Sequence, residues 1–176
     1  GLCHGLDPDV ANLPAGEIYY VPESAEGRFP LVYESDGTIG AMEVVGGKIR
    51  HAILLRGNQG TVDMHNRKIQ DDPVTGELGE LGFGTQVLPV SGADIQDEKI
   101  LGTMHVATGR SDHLGGNLTP DKFNQAQNAT HDDILFAPHK TPDVKVPQVR
   151  MYRGGEEVVL LENYQPAPYL QGLLKG

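Results

Sequence analysis

The chain has 176 residues, 24 of them acidic and 14 basic, and a formal net charge of −10 at pH 7. Because such a surface repels phosphate backbones and no Lys/Arg cluster offsets it, we expect no nucleic-acid partner. No apolar run approaches the roughly 18 residues of a membrane span, and the single cysteine, Cys3, excludes an internal disulfide and any Cys-rich zinc site. These features predict a cytoplasmic protein without a membrane partner, folded as one domain over residues 1–176.

Glycine and proline are abundant, with 23 and 12 residues, and tryptophan is absent, which favours short strands joined by turns. After a loop-like opening, GLCHGLDPDVANLPAGE, runs of β-branched and aromatic residues between turn signals predict strands. The predicted strand segments are EIYYVP (17–22), FPLVYE (29–34), TIGAMEVV (38–45), KIRHAILL (48–55), ELGFGTQVLPV (80–90), MHVAT (104–108), HDDILF (131–136) and VPQVRMYRGGEEVVLLENY (146–164).

Helix signals are weaker. The best candidate is SGADIQDEKILG (91–102), which Ser91 or Asp94 could cap and Gly102 ends. Residues 57–79 are polar and are predicted to form mostly an excursion or a weak helix. The expected fold class is α+β: a β-dominated single domain of mostly antiparallel short strands with one or two short helices.

The segment HDDILF carries a possible ligand pair. In a strand, side chains alternate between faces, so His131 and Asp133 point the same way and Asp132 points the opposite way. In a helix, residues two apart would diverge by about 200°. On a strand, His131 and Asp133 could bind a divalent metal side by side. The alternative is a strand whose acids are hydrated at the end of a sheet.

Further candidate residues lie in three other segments. In TMHVAT, Met104 and Val106 are expected to face the core and His105 the opposite side, where small neighbours leave room for a ligand. A hydrogen-bonded structural histidine is the alternative. Glu17 and Glu80 each open a predicted strand, and the glycines of ELGFGT would let a substrate or ion approach the backbone. For both glutamates, an exposed strand-end side chain is the simpler interpretation.

The remaining charged residues and histidines are predicted to have no role in a site. Three charged residues are interpreted as helix-start charges, namely Asp97, Glu98 and Lys99. Four histidines lack partners at suggestive spacing and are predicted to be structural or exposed, namely His4, His51, His65 and His139. The motifs of serine hydrolases, P-loop NTPases, zincins and Rossmann enzymes are absent from the sequence.

Four segments, taken in order, resemble the C-terminal half of metallo-aminopeptidases of the aminopeptidase T type. They are NLPAGEIYYVP, ELGFGTQ, DEKILGTMHVATG followed by GG, and HDD. The resemblance covers most of residues 10–165, and the final hairpin is compatible with it. It implies a two-metal centre and a homodimer. The implied ligands are Glu17, Glu80, His105, His131 and Asp133.

The activity implied by this resemblance is metal-dependent removal of N-terminal residues from peptides. Two divalent cations, Zn, Co or Mn, about 3.5–4 Å apart would activate a water and polarise the peptide carbonyl. Glu17 or Glu80 would take the proton of that water and pass it to the leaving amine.

The chain departs from the peptidase pattern in two respects. The family carries a tyrosine seven residues after the metal-binding histidine, whereas this chain has Asp112 there, followed by His113. An ionised carboxylate cannot donate to an oxyanion as a phenol can. Both residues are expected beside the metal ligands or the substrate. The peptidases also carry an α/β domain before this region, so the resemblance implies an isolated C-terminal domain or a stand-alone relative.

Two alternatives remain open. The same resemblance extends to dihydroxypyridine ring-opening dioxygenases, in which His105, His131 and Asp133 would hold a single Fe(II) with open positions for O₂ and a ring diol. The other alternative is a non-catalytic metal-binding or dimerisation domain. The expected partner is therefore a peptide or a small-molecule substrate.

Overall fold

The computed structural model describes residues 15–174, so the predicted opening loop falls almost entirely outside the described residues, as does His4. The described chain forms ten strands and three α-helices. The strands are β1 Glu17–Tyr20, β2 Gly27–Val32, β3 Ile39–Val45, β4 Lys48–Arg56, β5 Leu78–Gly84, β6 Met104–Gly109, β7 His131–Phe136, β8 Gln148–Arg153, β9 Glu156–Glu162 and β10 Gln165–Pro166. The helices are α1 Gln59–Asp71, α2 Asp94–Asp97 and α3 Pro168–Leu174.

The strands form three sheets. One has four strands in the order β1-β5-β6-β7, and the other two are antiparallel, in the orders β2-β3-β4 and β10-β9-β8. The predicted fold class, a β-dominated α+β fold with mostly antiparallel strands, is confirmed. No helix in residues 15–174 is long and apolar enough to cross a membrane.

The chain divides into two compact units. The first unit contains the described residues 15–18, 82–105 and 135–174, and the second unit contains residues 19–81 and 106–134. The prediction of one domain over residues 1–176 stays a prediction.

In the second unit, α1 packs on the sheet β2-β3-β4. The core joins apolar side chains of β3 and β4 to two residues of the helix; its members are Met42, Val44, Ile49, Ala52, Val62 and Ile69. The two strands meet at a two-residue turn in which Gly46 has φ 61° and Gly47 φ 74°, the left-handed conformation that a tight hairpin requires. Asn66 on α1 accepts a hydrogen bond from the amide of Ala52 and donates one to its carbonyl, which ties the helix to the strand.

Helix α1 decides between the two structures predicted for residues 57–79, an excursion and a weak helix, in favour of a helix. The segment is polar, yet it forms 13 residues of helix because its side chains supply what such a helix needs. Asn58 caps it by accepting from the amide of Gly60 at 2.8 Å. Val62 and Ile69, seven residues apart, lie on one face and are buried.

In the first unit, β8 and β9 form the predicted hairpin around Gly154 and Gly155, whose φ angles are 60° and 86°. Tyr164, after β9, is buried and donates to the carbonyl of Val144 at 3.1 Å. The helix predicted over residues 91–102 shrinks to the four residues of α2. After α2 the chain continues in tight turns, with the amide of Lys99 bonded to the carbonyl of Gln96 at 3.2 Å.

The interpretation of Asp97, Glu98 and Lys99 as helix-start charges holds only for Asp97, which lies in the first turn of α2, whereas Glu98 and Lys99 follow the end of the helix. All three side chains are buried. Asp97 turns inward from α2 itself, and Glu98 and Lys99 from the turns that follow it. Their polar partners offset the cost of burying charged groups.

Candidate metal centre

Glu17 reaches the interior of the first unit because the start of β1 is packed tightly. The carbonyl of Gly16 accepts from the amide of Thr85 at 2.8 Å, and a Cβ on Gly16 would lie 2.7 Å from Cγ of Gln86. The side chain of Glu17 is only 5% exposed. The simpler interpretation, an exposed strand-end glutamate, therefore does not describe it.

His105 occupies the interior of the first unit and not an open face. Its side chain is 1% exposed, and a Cβ on Gly82 would lie 2.1 Å from both Cε1 and Nε2 of the ring. The glycine of ELGFGT therefore makes room for the protein's own imidazole. The sequence prediction placed an incoming substrate or ion against these glycines.

Glu98 and Lys99 lie beside these two residues, and the sequence analysis missed both. Nζ of Lys99 lies 2.8 Å from Oε1 of Glu98 and 3.7 Å from Oε1 of Glu17. Oε2 of Glu17 lies 3.7 Å from Nε2 of His105. Burial raises the pKa of the Glu98 carboxyl, while the hydrogen bond from Lys99 and the charge of a protonated His105 act in the opposite direction.

Glu17, Glu98 and His105 offer ligand atoms that all lie within 4.8 Å of one another. Two carboxylate oxygens and one imidazole nitrogen are a donor set that suits a divalent cation of the Zn, Mn, Fe or Co type. These three residues, which we call the Glu17 cluster, are thus chemically fitted to hold such an ion.

In the second unit, β7 places His131 and Asp133 on one face, as the strand alternation predicted. Nε2 of His131 lies 3.4 Å from Oδ1 of Asp133. Asp132 instead accepts from the hydroxyl of Thr130 at 2.9 Å and pairs with Lys68 at 3.6 Å.

Both ring nitrogens of His131 have hydrogen-bond partners. Nδ1 donates to the carbonyl of Arg110 at 2.5 Å, and Nε2 lies 2.9 Å from Oε2 of Glu80. Burial by itself lowers the pKa of His131, but the hydrogen bonds to Asp133, Glu80 and Arg110 outweigh it and raise the pKa to about 10. Since both nitrogens face acceptors, His131 is an imidazolium at neutral pH in the metal-free protein.

Asp112 and His113 have different partners. Both oxygens of Asp112 accept from the guanidinium of Arg110, at 3.0 and 2.9 Å, and these bonds hold the pKa of the Asp112 carboxyl below its usual range. The ring of His113 packs edge-on against the ring of His131, with centroids 4.7 Å apart. Burial and the neighbouring charge of His131 lower the pKa of His113.

The histidines that were predicted to be structural or exposed have protein partners where the structure describes them. Nε2 of His51 lies 3.2 Å from Glu43, and Nε2 of His139 lies 3.0 Å from Asp97. Nδ1 of His65 lies 2.9 Å from the hydroxyl of Tyr33. The prediction that these histidines are structural or exposed stays a prediction.

Among the five ligands that the resemblance implied, two belong to the first unit and three to the second. Glu17 and His105 meet in the first unit, where Glu98 joins them. Glu80, His131 and Asp133 meet in the second unit, where the imidazole contacts both carboxylates. The sequence signals for Glu98 and Lys99 are their place in the resembling segment DEKILGTMHVATG and the apolar Ile100 and Leu101 that adjoin the charged run DEK.

The fold is similar to part of a known enzyme. No protein-family model matches the chain, and neither does any curated protein. The solved structure of a 2,5-dihydroxypyridine dioxygenase from Pseudomonas putida matches 85% of this chain and 43% of its own, with a TM-score of 0.52 and 15% sequence identity. The likeness is one of fold, and the chain spans less than half the length of that protein.

Proposed function

We propose that the chain is a metal-dependent enzyme and that the Glu17 cluster holds a divalent cation. The observation that carries this proposal is the convergence of Glu17, Glu98 and His105, whose ligand atoms lie within 4.8 Å of one another in the interior of the first unit. They come from three separate segments, and their side chains are between 1 and 8% exposed. Buried carboxylates are costly unless they are compensated, and a bound cation would compensate them.

The distances within the cluster are compatible with ligands of one ion. Oε2 of Glu17 and Nε2 of His105 are 3.7 Å apart, which is too long for a hydrogen bond. Two ligands bound to the same ion at about 2.1 Å are separated by roughly 3.0–3.5 Å. A small movement of either side chain would therefore let both bind one cation.

For the reaction, we propose oxygen-dependent cleavage of a dihydroxylated aromatic ring. Two observations support it: the fold is similar to that of a dihydroxypyridine dioxygenase, and Asp112 stands where the peptidases have a tyrosine. The chemistry that a bound Fe(II) would supply is the activation of O₂. Both oxygen atoms of O₂ would enter the ring-opened product. The sequence resemblance implies His105, His131 and Asp133 as iron ligands; of these, the Glu17 cluster contains His105, and we propose this cluster as the iron site.

The hydrogen bonds of His131 would also suit it as a ligand of a cation in the second unit, beside Glu80 and Asp133. Its Nδ1 donates to the carbonyl of Arg110, so a neutral His131 would keep its proton on Nδ1 and present a lone pair on Nε2. Binding of a cation at Nε2 would release the Nε2 proton that now faces Glu80.

A metallo-aminopeptidase is the second candidate. The carboxylates support the peptidase, because Glu17, Glu80 or Glu98 could serve as the general base for a metal-bound water. Asp112 counts against it. Its two oxygens are engaged by Arg110, and an ionised carboxylate cannot stabilise the oxyanion of a peptide transition state.

Metal analysis and paired assays test these proposals. We expect protein purified without chelator to contain a divalent metal, and anaerobic loading with Fe(II) followed by air to give O₂ uptake with a dihydroxypyridine or a related diol. Loading with Zn²⁺, Co²⁺ or Mn²⁺ and release of amino acids from short peptides would favour the peptidase. If the protein binds none of these ions, the alternative of a non-catalytic domain would be favoured.

The homodimeric state is a further part of this proposal, and it rests on the sequence resemblance alone. Light scattering coupled to size exclusion measures the mass of the particle against the 19.0 kDa of one chain. A mass of one chain at all concentrations would contradict the dimer.

A further inference from the structure

Lys99 is a buried cation that lies between the two glutamates of the Glu17 cluster. Its side chain is 2% exposed, and its ammonium group donates to Oε1 of Glu98 and to the carbonyl of Ile95. The nitrogen of the ammonium group also lies 3.7 Å from Oε1 of Glu17. Lysine is almost never fully buried unless it is paired, so these contacts account for its position.

The charges of the cluster show what the ammonium does there. Glu17 and Glu98 together carry two negative charges when ionised, and Lys99 returns one positive charge within the same interior. Each glutamate turns its Oε1 toward the ammonium, and Glu17 turns its other oxygen, Oε2, toward His105. One oxygen of the Glu17 carboxylate therefore faces the ammonium of Lys99, and the other faces the imidazole of His105.

We propose that Lys99 takes the place of a second metal ion and orients Glu17 and Glu98, so that the cluster binds one divalent cation and not two. This inference rests on the proposed function, because it concerns how many ions the Glu17 cluster accepts. Lys99 acts through the two glutamates and is therefore a positioning residue.

A purely structural role would differ in its consequences. If Lys99 only filled space and tied α2 to the turn that follows, methionine, a similar unbranched side chain, would leave metal binding unchanged. If the charge matters, Lys99→Met exposes two adjacent buried carboxylates to each other. Their repulsion would then be relieved by an additional cation.

Cobalt binding is the experiment, with four proteins: the wild type, Glu17→Gln, Lys99→Met and Lys99→Arg. Calorimetric titration of chelator-treated protein with Co²⁺ gives the number of ions, and the visible absorption of Co²⁺ reports on its ligand geometry. We expect Glu17→Gln to bind one Co²⁺ fewer than the wild type. We expect Lys99→Met to bind one more, with an altered spectrum, and Lys99→Arg to keep the wild-type number.

The outcomes separate this inference from the proposed function. Equal Co²⁺ binding by the wild type and Glu17→Gln would overturn the cation site itself. A loss of two ions in Glu17→Gln would support the cation site but contradict the proposed role of Lys99. A Lys99→Met protein with the wild-type number of ions and the wild-type spectrum would also contradict that role. If Lys99→Met does not fold, the comparison of the wild type with Glu17→Gln still decides between one ion and two.

Discussion

The imidazole of His105 rests directly on the α-carbon of Gly82: a Cβ at residue 82 would lie 2.1 Å from both Cε1 and Nε2 of the ring. A methyl group cannot be accommodated unless the ring moves. We therefore expect Gly82→Ala to lower the free energy of unfolding by about 1–3 kcal/mol, the usual cost of overpacking. We also expect it to weaken Co²⁺ binding at least tenfold, because the displaced ring no longer points at Glu17. Urea denaturation and calorimetry measure the two effects.

Gly172 provides the matched control for this substitution. It lies in α3, and no atom outside its own helix and neighbours is within 4 Å of the position that a Cβ would take. Gly172→Ala should leave Co²⁺ binding unchanged and raise stability slightly, since alanine favours a helix. Wild-type Co²⁺ affinity in Gly82→Ala would mean that His105 does not hold the cation.

The stability of the metal-free protein should fall as the pH rises above neutrality. The pKa of His131 is raised from 6.5 to about 10 by Asp133, Glu80 and the Arg110 carbonyl, which outweigh its burial. A group with a raised folded-state pKa stabilises fully below its unfolded pKa and loses that contribution as the pH passes its folded pKa. The decline should therefore lie between pH 6.5 and about 10. Each tenfold change in proton affinity is worth about 1.4 kcal/mol.

Urea denaturation in the presence of a chelator, repeated across this pH range, measures that decline. His131→Gln should flatten the profile, because glutamine does not titrate. His51→Gln is the control, since His51 is a half-exposed histidine on β4 and pairs with Glu43. An equal decline in His131→Gln and the wild type would show that another group is responsible.

The ligand assignment predicts an order of effects in the second unit. His131→Ala and Asp133→Ala should each remove most of the metal affinity of the site that these two residues form with Glu80. His113→Ala should reduce it less, because the ring of His113 only packs edge-on against that of His131. Metal titration of the three variants measures the order, and equal losses in all three would contradict the assignment.

The strands were predictable from the sequence because their signals are local. Paired glycines with left-handed φ angles, such as Gly46 with Gly47, mark hairpins without any knowledge of the core. The alternation of His131, Asp132 and Asp133 followed from the geometry of a strand in the same way. For helix α1 the sequence left an excursion or a weak helix open, because the segment is polar and only three residues of the helix are buried, although Asn58 is a standard capping residue.

The Glu17 cluster was only half predictable. Glu17 and His105 could be named because the family resemblance implies them as metal ligands. Glu98 and Lys99 lie in the same resembling segment as His105, but the resemblance implies no role for them, and the default for charged residues next to a short helix is exposure. Lys99 has local partners in Glu98 and the Ile95 carbonyl, but Glu17 is distant in the sequence, and no local pattern shows that Glu17 and Lys99 will come within 3.7 Å of each other.

Asp97, next to this cluster in the sequence, supports the turn that precedes it. Its buried carboxylate accepts from the amide and hydroxyl of Ser91, both at 2.8 Å, and from the amide of Gly92 and the ring of His139. Although burial raises its pKa, these bonds outweigh the burial and lower it. Asp97→Asn should cost about 2 kcal/mol in unfolding free energy near pH 7, because an amide cannot accept all of these bonds.

The pH dependence of that loss identifies its cause. A carboxyl group with a lowered folded-state pKa stabilises above its unfolded pKa and loses that contribution as the pH falls through the folded pKa. The gap between the wild type and Asp97→Asn should therefore narrow on acidification below the ordinary aspartate pKa of 3.8. Asp94→Asn, in the same short helix but partly exposed and paired with Lys140, is the control and should cost well under 1 kcal/mol. A gap that stays constant down to acid pH would assign the effect to packing and not to the charge of Asp97.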